Sequence, residues 1–298
     1  MIKRTLLFSN PAYLSTKNQQ LVINYPDADT PTKTVPIEDV GMIVLENQQI
    51  TISNGLLSKL IQNNAAVISC DGYHLPIGLL QPLVGHSEQT ERMCHQLNAS
   101  VPLKKNLWQQ TICAKIQNQA NFMDKLGIPA RKMHKWVNEV KSGDTENHES
   151  RAAVYYWKHI FEIENFTRGQ KEAPPNNLLN YGYAILRGLT ARALVSSGLL
   201  PSVGVFHRNK YNAFCLADDI MEPYRVYVDV LVNTILQSNE DYEILTTTLK
   251  THLLQLPVID VVIDGNRSPL MVAMSRTTNS LYECFAGIGR KVLYPVFQ

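Results

Sequence analysis

A chain of 298 residues that is 45% hydrophobic and 18% charged has room for two domains and a sizeable core, which excludes a disordered polypeptide. Its net charge of +2 is too small to demonstrate a polyanion partner, and the N-terminal MIKRTLLFSN has too short an apolar run for a secretory signal. No stretch approaches the roughly 18 to 20 apolar residues of a membrane span, and Cys70, Cys94, Cys113, Cys215 and Cys284 are odd in number, widely spaced and lack a CxxC pair, so a reducing cytoplasm fits better than a disulfide or zinc framework.

In chain order, IKRTLLFS at 2–9, QLVINY at 20–25, GMIVLE at 41–46, QITIS at 49–53 and AVISC at 66–70 are short β-branched runs separated by turn clusters such as YPDADTPTK and NNAA. They predict a small β-rich domain. One helix interrupts it, SNGLLSKLIQNN, with Asn54 as N-cap, Leu56, Leu57, Leu60 and Ile61 on one face and Asn63 or Asn64 as terminator.

From about residue 100 the period becomes helical, in LWQQTICAKIQNQANFMDKLG, NHESRAAVYYWKHIFEIENF, NNLLNYGYAILRGLTARALVSSG and SPLMVAMSRTTNSLYECFAG. Ser268 and Pro269 supply a cap and first-turn pair for the last of these, and Gly287 its stop. The expected fold class is α+β, with a β-rich domain over 1–98 followed by a larger all-helical domain over 99–298.

Common catalytic signatures are missing. His148-Glu149 begins an HExxH pattern, but Ala152 stands where the second histidine belongs; there is no GxxxxGK[ST] loop and no GxSxG turn. The acids of CLADDIMEPYR remain. If 214–222 is helical, Asp218 and Asp219 share the face of Glu222, which makes either a solvated acidic surface or, with a divalent cation against it, a metal site. Pro223 disfavours helical geometry at Glu222. His207, Arg208 and Lys210 reach these acids only if GVFHRNKYNAF turns back toward the helix.

The run HESRAAVYYW, PPNNLLNYGYAILRGLTARAL at 174–194, GLLPSVGVFHRNKYNAF at 198–214 and LADDIMEPYRVYVD at 216–229 together resemble the CRISPR-associated integrase of the spacer-adaptation machinery, over essentially the whole chain. Glutamate followed by Pro-Tyr-Arg resembles the branch that accompanies single-protein effector nucleases, the type II systems. The resemblance implies a helical catalytic domain whose metal site and catalytic residues fall on Glu149, His207 and Glu222, with Asp219 behind them and Asp218 solvated.

It also implies insertion of short duplex DNA into a repeat array by attack of a DNA 3′-hydroxyl, alongside DNA endonuclease activity. A histidine ligand suits manganese better than magnesium, so either Mg2+ or Mn2+ is the expected cofactor, and His207 is either a ligand or a general acid or base.

Phosphate contacts are expected from Lys104 and Lys105 beside Trp108, from Arg131, Lys132 and Lys135 beside Trp136, and from Arg208, Lys210 and Arg225; Tyr183 or Tyr211 would stack on an end base, with a core role the alternative for Tyr183. The implied partners are double-stranded DNA, a second copy of the chain docked through its β-rich domain, a small ferredoxin-like subunit bridging two such dimers, and the effector nuclease. A branched-DNA-resolving nuclease and a non-catalytic DNA and protein scaffold stay open.

Overall fold

The structure is a computed structural model and describes residues 3–27, 29–238 and 240–298. Ile2, the first residue of the run expected at 2–9, and Ala28 of the YPDADTPTK cluster lie outside the described residues. Contacts divide the chain into two compact units, Met1–Gly85 and His86–Gln298.

The first unit runs β1 (Arg4–Phe8), β2 (Tyr13–Lys17), β3 (Gln20–Asn24), β4 (Lys33–Pro36), β5 (Val40–Leu45), β6 (Thr51–Ile52), α1 (Asn54–Gln62), β7 (Ala66–Cys70) and β8 (Pro76–Leu80). One sheet has the order β1-β5-β7-β8 and the other β4-β3-β2-β6. In the first, β5 lies between parallel neighbours β1 and β7, which is why GMIVL reads as a continuous apolar run rather than an alternating one.

The β2–β3 hairpin turns on Asn18 and Gln19, both at positive φ of 49° and 60°. Leu14, Leu21, Ile23 and Val35 from the second sheet form a buried cluster with Leu56 and Leu60 of α1. The cap of α1 is Ser53, whose extended backbone lets its hydroxyl accept from Leu56 N–H; Asn54 is already the first helical residue. Asn64, at φ 55°, ends the turn that follows.

The second unit runs α2 (Gln89–Leu97), α3 (Val101–Lys125), α4 (Arg131–Glu139), α5 (His148–His159), α6 (Asn176–Ser196), α7 (Cys215–Met221), α8 (Arg225–Gln237), α9 (Thr247–Leu253), β9 (Asp260–Ile263), β10 (Asn266–Pro269), α10 (Leu270–Phe285) and β11 (Pro295–Val296). It begins one helix earlier than the sequence boundary at 98. The reason lies in α2: buried Gln96 donates to Leu200 O and Val203 O and accepts from Leu200 N–H, and Arg92 lies 3.9 Å over the Tyr282 ring.

The unit is mostly helical but not wholly so. A three-stranded antiparallel sheet, β10-β9-β11, sits among the helices, and its strands of two to four residues are too short to show a period. Ser268 belongs to β10 and caps nothing; Pro269 occupies the cap position of α10 in an extended conformation. Gly287, at φ 75°, follows the end of that helix, where a left-handed residue closes it. Among the described residues no helix is long and apolar enough to cross a membrane.

Candidate active site

Glu149 lies in the first turn of α5, and Asp144 fixes that turn. The Asp144 carboxylate accepts His148 N–H and Glu149 N–H, each at 2.9 Å, satisfying two donors that a helix start leaves without partners. Ala152, one turn on, is fully buried, so the helix packs closely where the glutamate emerges.

Lys115 comes from the middle of α3, on the face that buries Trp108, Ile112, Ile116 and Phe122. Its ammonium lies 2.7 Å from Glu149 Oε1 and 2.6 Å from Glu222 Oε2. Glu222 opens a 3-10 turn, Glu222–Tyr224, between α7 and α8. The expected break at Pro223 does not occur: Glu222 keeps helical angles of −52° and −47°, the chain tightens instead of stopping, and Asn118 Nδ2 donates to Pro223 O at 2.8 Å.

Arg225 Nε donates to Glu222 Oε1 at 2.9 Å, and its guanidinium lies 4.6 Å over the Tyr183 ring. Burial raises the Glu222 carboxyl, but Arg225 and then Lys115 outweigh it and hold the group down to about 2. Burial likewise opposes the charge on Lys115, yet Glu222 and Glu149 raise its ammonium above the ordinary value. Glu222 and Lys115 are therefore both ionised at neutral pH. Although Glu222 Oε2 is in ionic contact with Lys115, it is buried and accepts no hydrogen bond of good geometry.

His207 sits in the loop between α6 and α7, which the fully buried Asp219 organises. That carboxylate accepts N–H groups from Val205 at 2.7 Å, Phe206 at 3.0 Å and His207 at 3.2 Å, while Oδ1 is 2.6 Å from His207 Nδ1. Phe206 stacks in parallel on buried Trp108 at 4.2 Å, and the imidazole meets both rings edge-on. The hydrogen bond from His207 Nδ1–H to Asp219, against burial and aided by the charges of Asp219, Glu222 and Glu149, raises the imidazole above its ordinary value.

With Nδ1 committed to Asp219, Nε2 is the ring nitrogen left for a metal or a substrate. A carboxylate on the far nitrogen is the pairing that metal-bound histidines use. Two carboxylates, one of them with a buried oxygen that accepts no hydrogen bond, and an imidazole are donors of the kind that Mn2+ or Mg2+ takes. Among the described residues, no group of three or more His, Cys, Asp and Glu side chains stands at metal-holding spacing. Glu149 and Glu222 meet on Lys115, and His207 turns its Nδ1 to Asp219.

The acidic face expected for Asp218, Asp219 and Glu222 resolves into three separate pairings. Asp218 is not solvated: it is buried, 2.6 Å and 3.1 Å from Arg187 Nε and Nη2, and it accepts from Asn212 Nδ2. Tyr183 is a core residue rather than a base platform, donating its hydroxyl to Asp229 at 2.5 Å. Tyr156 donates to the other oxygen of Asp229 at 2.8 Å; burial pushes this carboxyl up to about 6 against those two bonds.

Arg208, Lys210 and Tyr211 are exposed, with Lys210 Nζ 4.8 Å over the Tyr211 ring. Lys105, Arg131, Lys132 and Lys135 are also exposed and Lys104 is half-buried, but Trp108 is buried and Arg225 is engaged by Glu222. Sequence reasoning missed Lys115 and Asp144, and read Trp108 as a neighbour of DNA-facing lysines where it is a buried platform for Phe206. For Lys115 a signal existed: it lies seven residues after Trp108 and one before Ile116, a cation set into an apolar helical stripe.

The family described as CRISPR associated protein Cas1 matches residues 5–247. A CRISPR-associated endonuclease Cas1 from Neisseria meningitidis is 37% identical over 282 residues, covering 94% of this chain and 91% of that protein. Among solved structures, a casposase bound to integration product superposes with a TM-score of 0.80 at 18% identity, covering 98% of this chain and 92% of that one. The chain of a Cas6-RT-Cas1–Cas2 complex gives 0.70 at 17% identity, covering 97% of this chain and 36% of its own length. With most of its length matched by the family and by a curated relative, the chain belongs to the Cas1 family of CRISPR-associated proteins.

Proposed function

We propose that this chain is a divalent-metal-dependent DNA integrase and endonuclease of CRISPR adaptation, inserting short duplex DNA by transesterification through Glu149, His207 and Glu222. The observation that carries the reading is the meeting of Glu149 and Glu222, from separate elements, on one cation in a unit where Asp219 also orients a histidine.

When bound, a divalent ion would polarise the phosphodiester and favour ionisation of the attacking 3′-hydroxyl. Glu149 and Glu222 supply anionic oxygens, and His207 supplies Nε2 as a ligand or as the group that holds a proton, its ring fixed through Nδ1 by Asp219. The nucleophile belongs to DNA, so the chain needs no serine or tyrosine nucleophile. Exposed Phe206, Arg208, Lys210 and Tyr211 beside His207 suit contact with a DNA end.

In the first unit, β8 is an edge strand and Tyr73, Ile77, Leu83 and Val84 are exposed around it, which supports a homodimer through that unit. The small ferredoxin-like subunit, the effector nuclease and cytoplasmic location complete the reading.

The test is a gel assay with short duplex, a supercoiled repeat-containing plasmid, the small subunit and Mn2+. Covalent joining that disappears in Glu149→Ala, His207→Ala and Glu222→Ala supports the integrase. Cleavage of branched DNA without joining would favour a resolving nuclease, and full chemistry in all three variants would remove the assigned site.

A further inference from the structure

We infer that Lys115 is a resident counter-ion, standing between Glu149 and Glu222 in the metal-free protein and displaced when a divalent ion binds. The inference rests on the metal-site reading above and adds a residue which that reading does not include.

Three observations carry it. First, one Nζ lies 2.7 Å from Glu149 Oε1 and 2.6 Å from Glu222 Oε2, so the ammonium fills the space between the two carboxylates where a shared metal would bind. Second, each Glu222 oxygen already faces a cation: Oε1 accepts from Arg225 and Oε2 faces Lys115. A metal shared by Glu222 and Glu149 would compete with one of these cations for the same carboxylate. Third, the two differ in how they are fixed. The Arg225 guanidinium is clamped between Glu222 and the Tyr183 ring, whereas Lys115 carries a point charge on a flexible four-carbon stem, and its contact with Glu222 Oε2 lacks good hydrogen-bond geometry. Lys115 is the cation that moves.

The physical logic is electrostatic. Two carboxylates this close repel unless a cation lies between them, and their burial makes an uncompensated pair costly. Lys115 therefore keeps the glutamates at ligand spacing before a metal arrives, and in doing so competes with it.

The test is Mn2+ binding, read as free Mn2+ by electron paramagnetic resonance and as thermal shift, in wild type, Lys115→Met and Glu149→Gln. Lys115→Met should melt lower without metal, gain more on adding Mn2+, and reach half-saturation at about tenfold lower Mn2+. Lys115→Gln serves if the methionine variant does not fold. In wild type, Mn2+ should raise acetylation of Lys115 by acetic anhydride several-fold, because the released ammonium becomes accessible.

Unchanged or weaker Mn2+ binding in both Lys115 variants overturns the displacement while leaving the metal site standing, as does unchanged Lys115 acetylation. Equal Mn2+ binding by wild type and Glu149→Gln overturns the metal site and the displacement with it.

Discussion

Asp219 holds His207 at two points: Oδ1 is 2.6 Å from the imidazole Nδ1 and 3.2 Å from the same residue's backbone nitrogen, while Oδ2 takes the N–H groups of Val205 and Phe206. One carboxylate thus sets the ring's orientation and the path of the loop that presents it. In Asp219→Asn the His207 imidazole should fall back toward its ordinary value, followed by NMR titration of the ring. Native His207 is raised, so its contribution to stability is present below the unfolded value and lost as pH rises through the folded one; Asp219→Asn should abolish that window. Asp219→Ala leaves buried N–H groups without an acceptor and should cost about 2–4 kcal/mol in urea unfolding.

Asp229 gives a pH dependence in a different window. Its carboxyl is raised from 3.8 to about 6. Both states hold the proton below the lower value, so stability is full there and declines as pH rises to about 6, by about 3 kcal/mol for a group this buried. Asp229→Asn should flatten stability between those two pH values in denaturant melts. A variant whose slope in that window matches wild type would contradict the assignment.

Gly204 is the point of closest packing in the histidine loop. A Cβ there would stand 2.4 Å from His207 O and 2.8 Å from Asp219 Oδ2, both too close to accommodate without moving the loop. Gly204→Ala is expected to lose about 1–3 kcal/mol by overpacking and to lower the His207 imidazole, as Asp219→Asn does. Wild-type thermal stability together with an unshifted imidazole would show that the loop absorbs the methyl group elsewhere.

Asp144→Ala removes the acceptor for the first two N–H groups of α5 and should cost about 1–2 kcal/mol, as loss of a helix cap does. Because one of those donors belongs to Glu149, half-saturation by Mn2+ should also move to higher concentration, while an Asp144→Asn variant retains part of both effects.

The two-unit α+β order was legible because long helices such as α3 and α6 carry a strong period and β5 and β7 are dense in β-branched residues. The β2 strand, YLSTK, was not legible: one apolar alternation and a Lys-Asn-Gln turn give little pattern. At the site, resemblance rather than periodicity singled out Glu149, His207 and Glu222, and no spacing rule joins residues so far apart in the chain. Asp218 was misread for the same reason, since its partner Arg187 lies in α6, thirty-one positions away. The part Lys115 plays was not legible because a lysine is rarely buried, and only the fold sets it against two glutamates from other elements.

The amide of Asn118 has a mechanical consequence. Its Nδ2 donates both to Pro223 O, the carbonyl next after Glu222, and to Pro295 O of β11, while its Oδ1 accepts from Phe297 N–H. A single side chain thus rivets the last strand to the backbone of Pro223, the residue after a candidate metal ligand, from a position three along α3 from Lys115. A change at residues 295–297 would therefore reach the turn that carries Glu222 through one amide, without touching any side chain of the site.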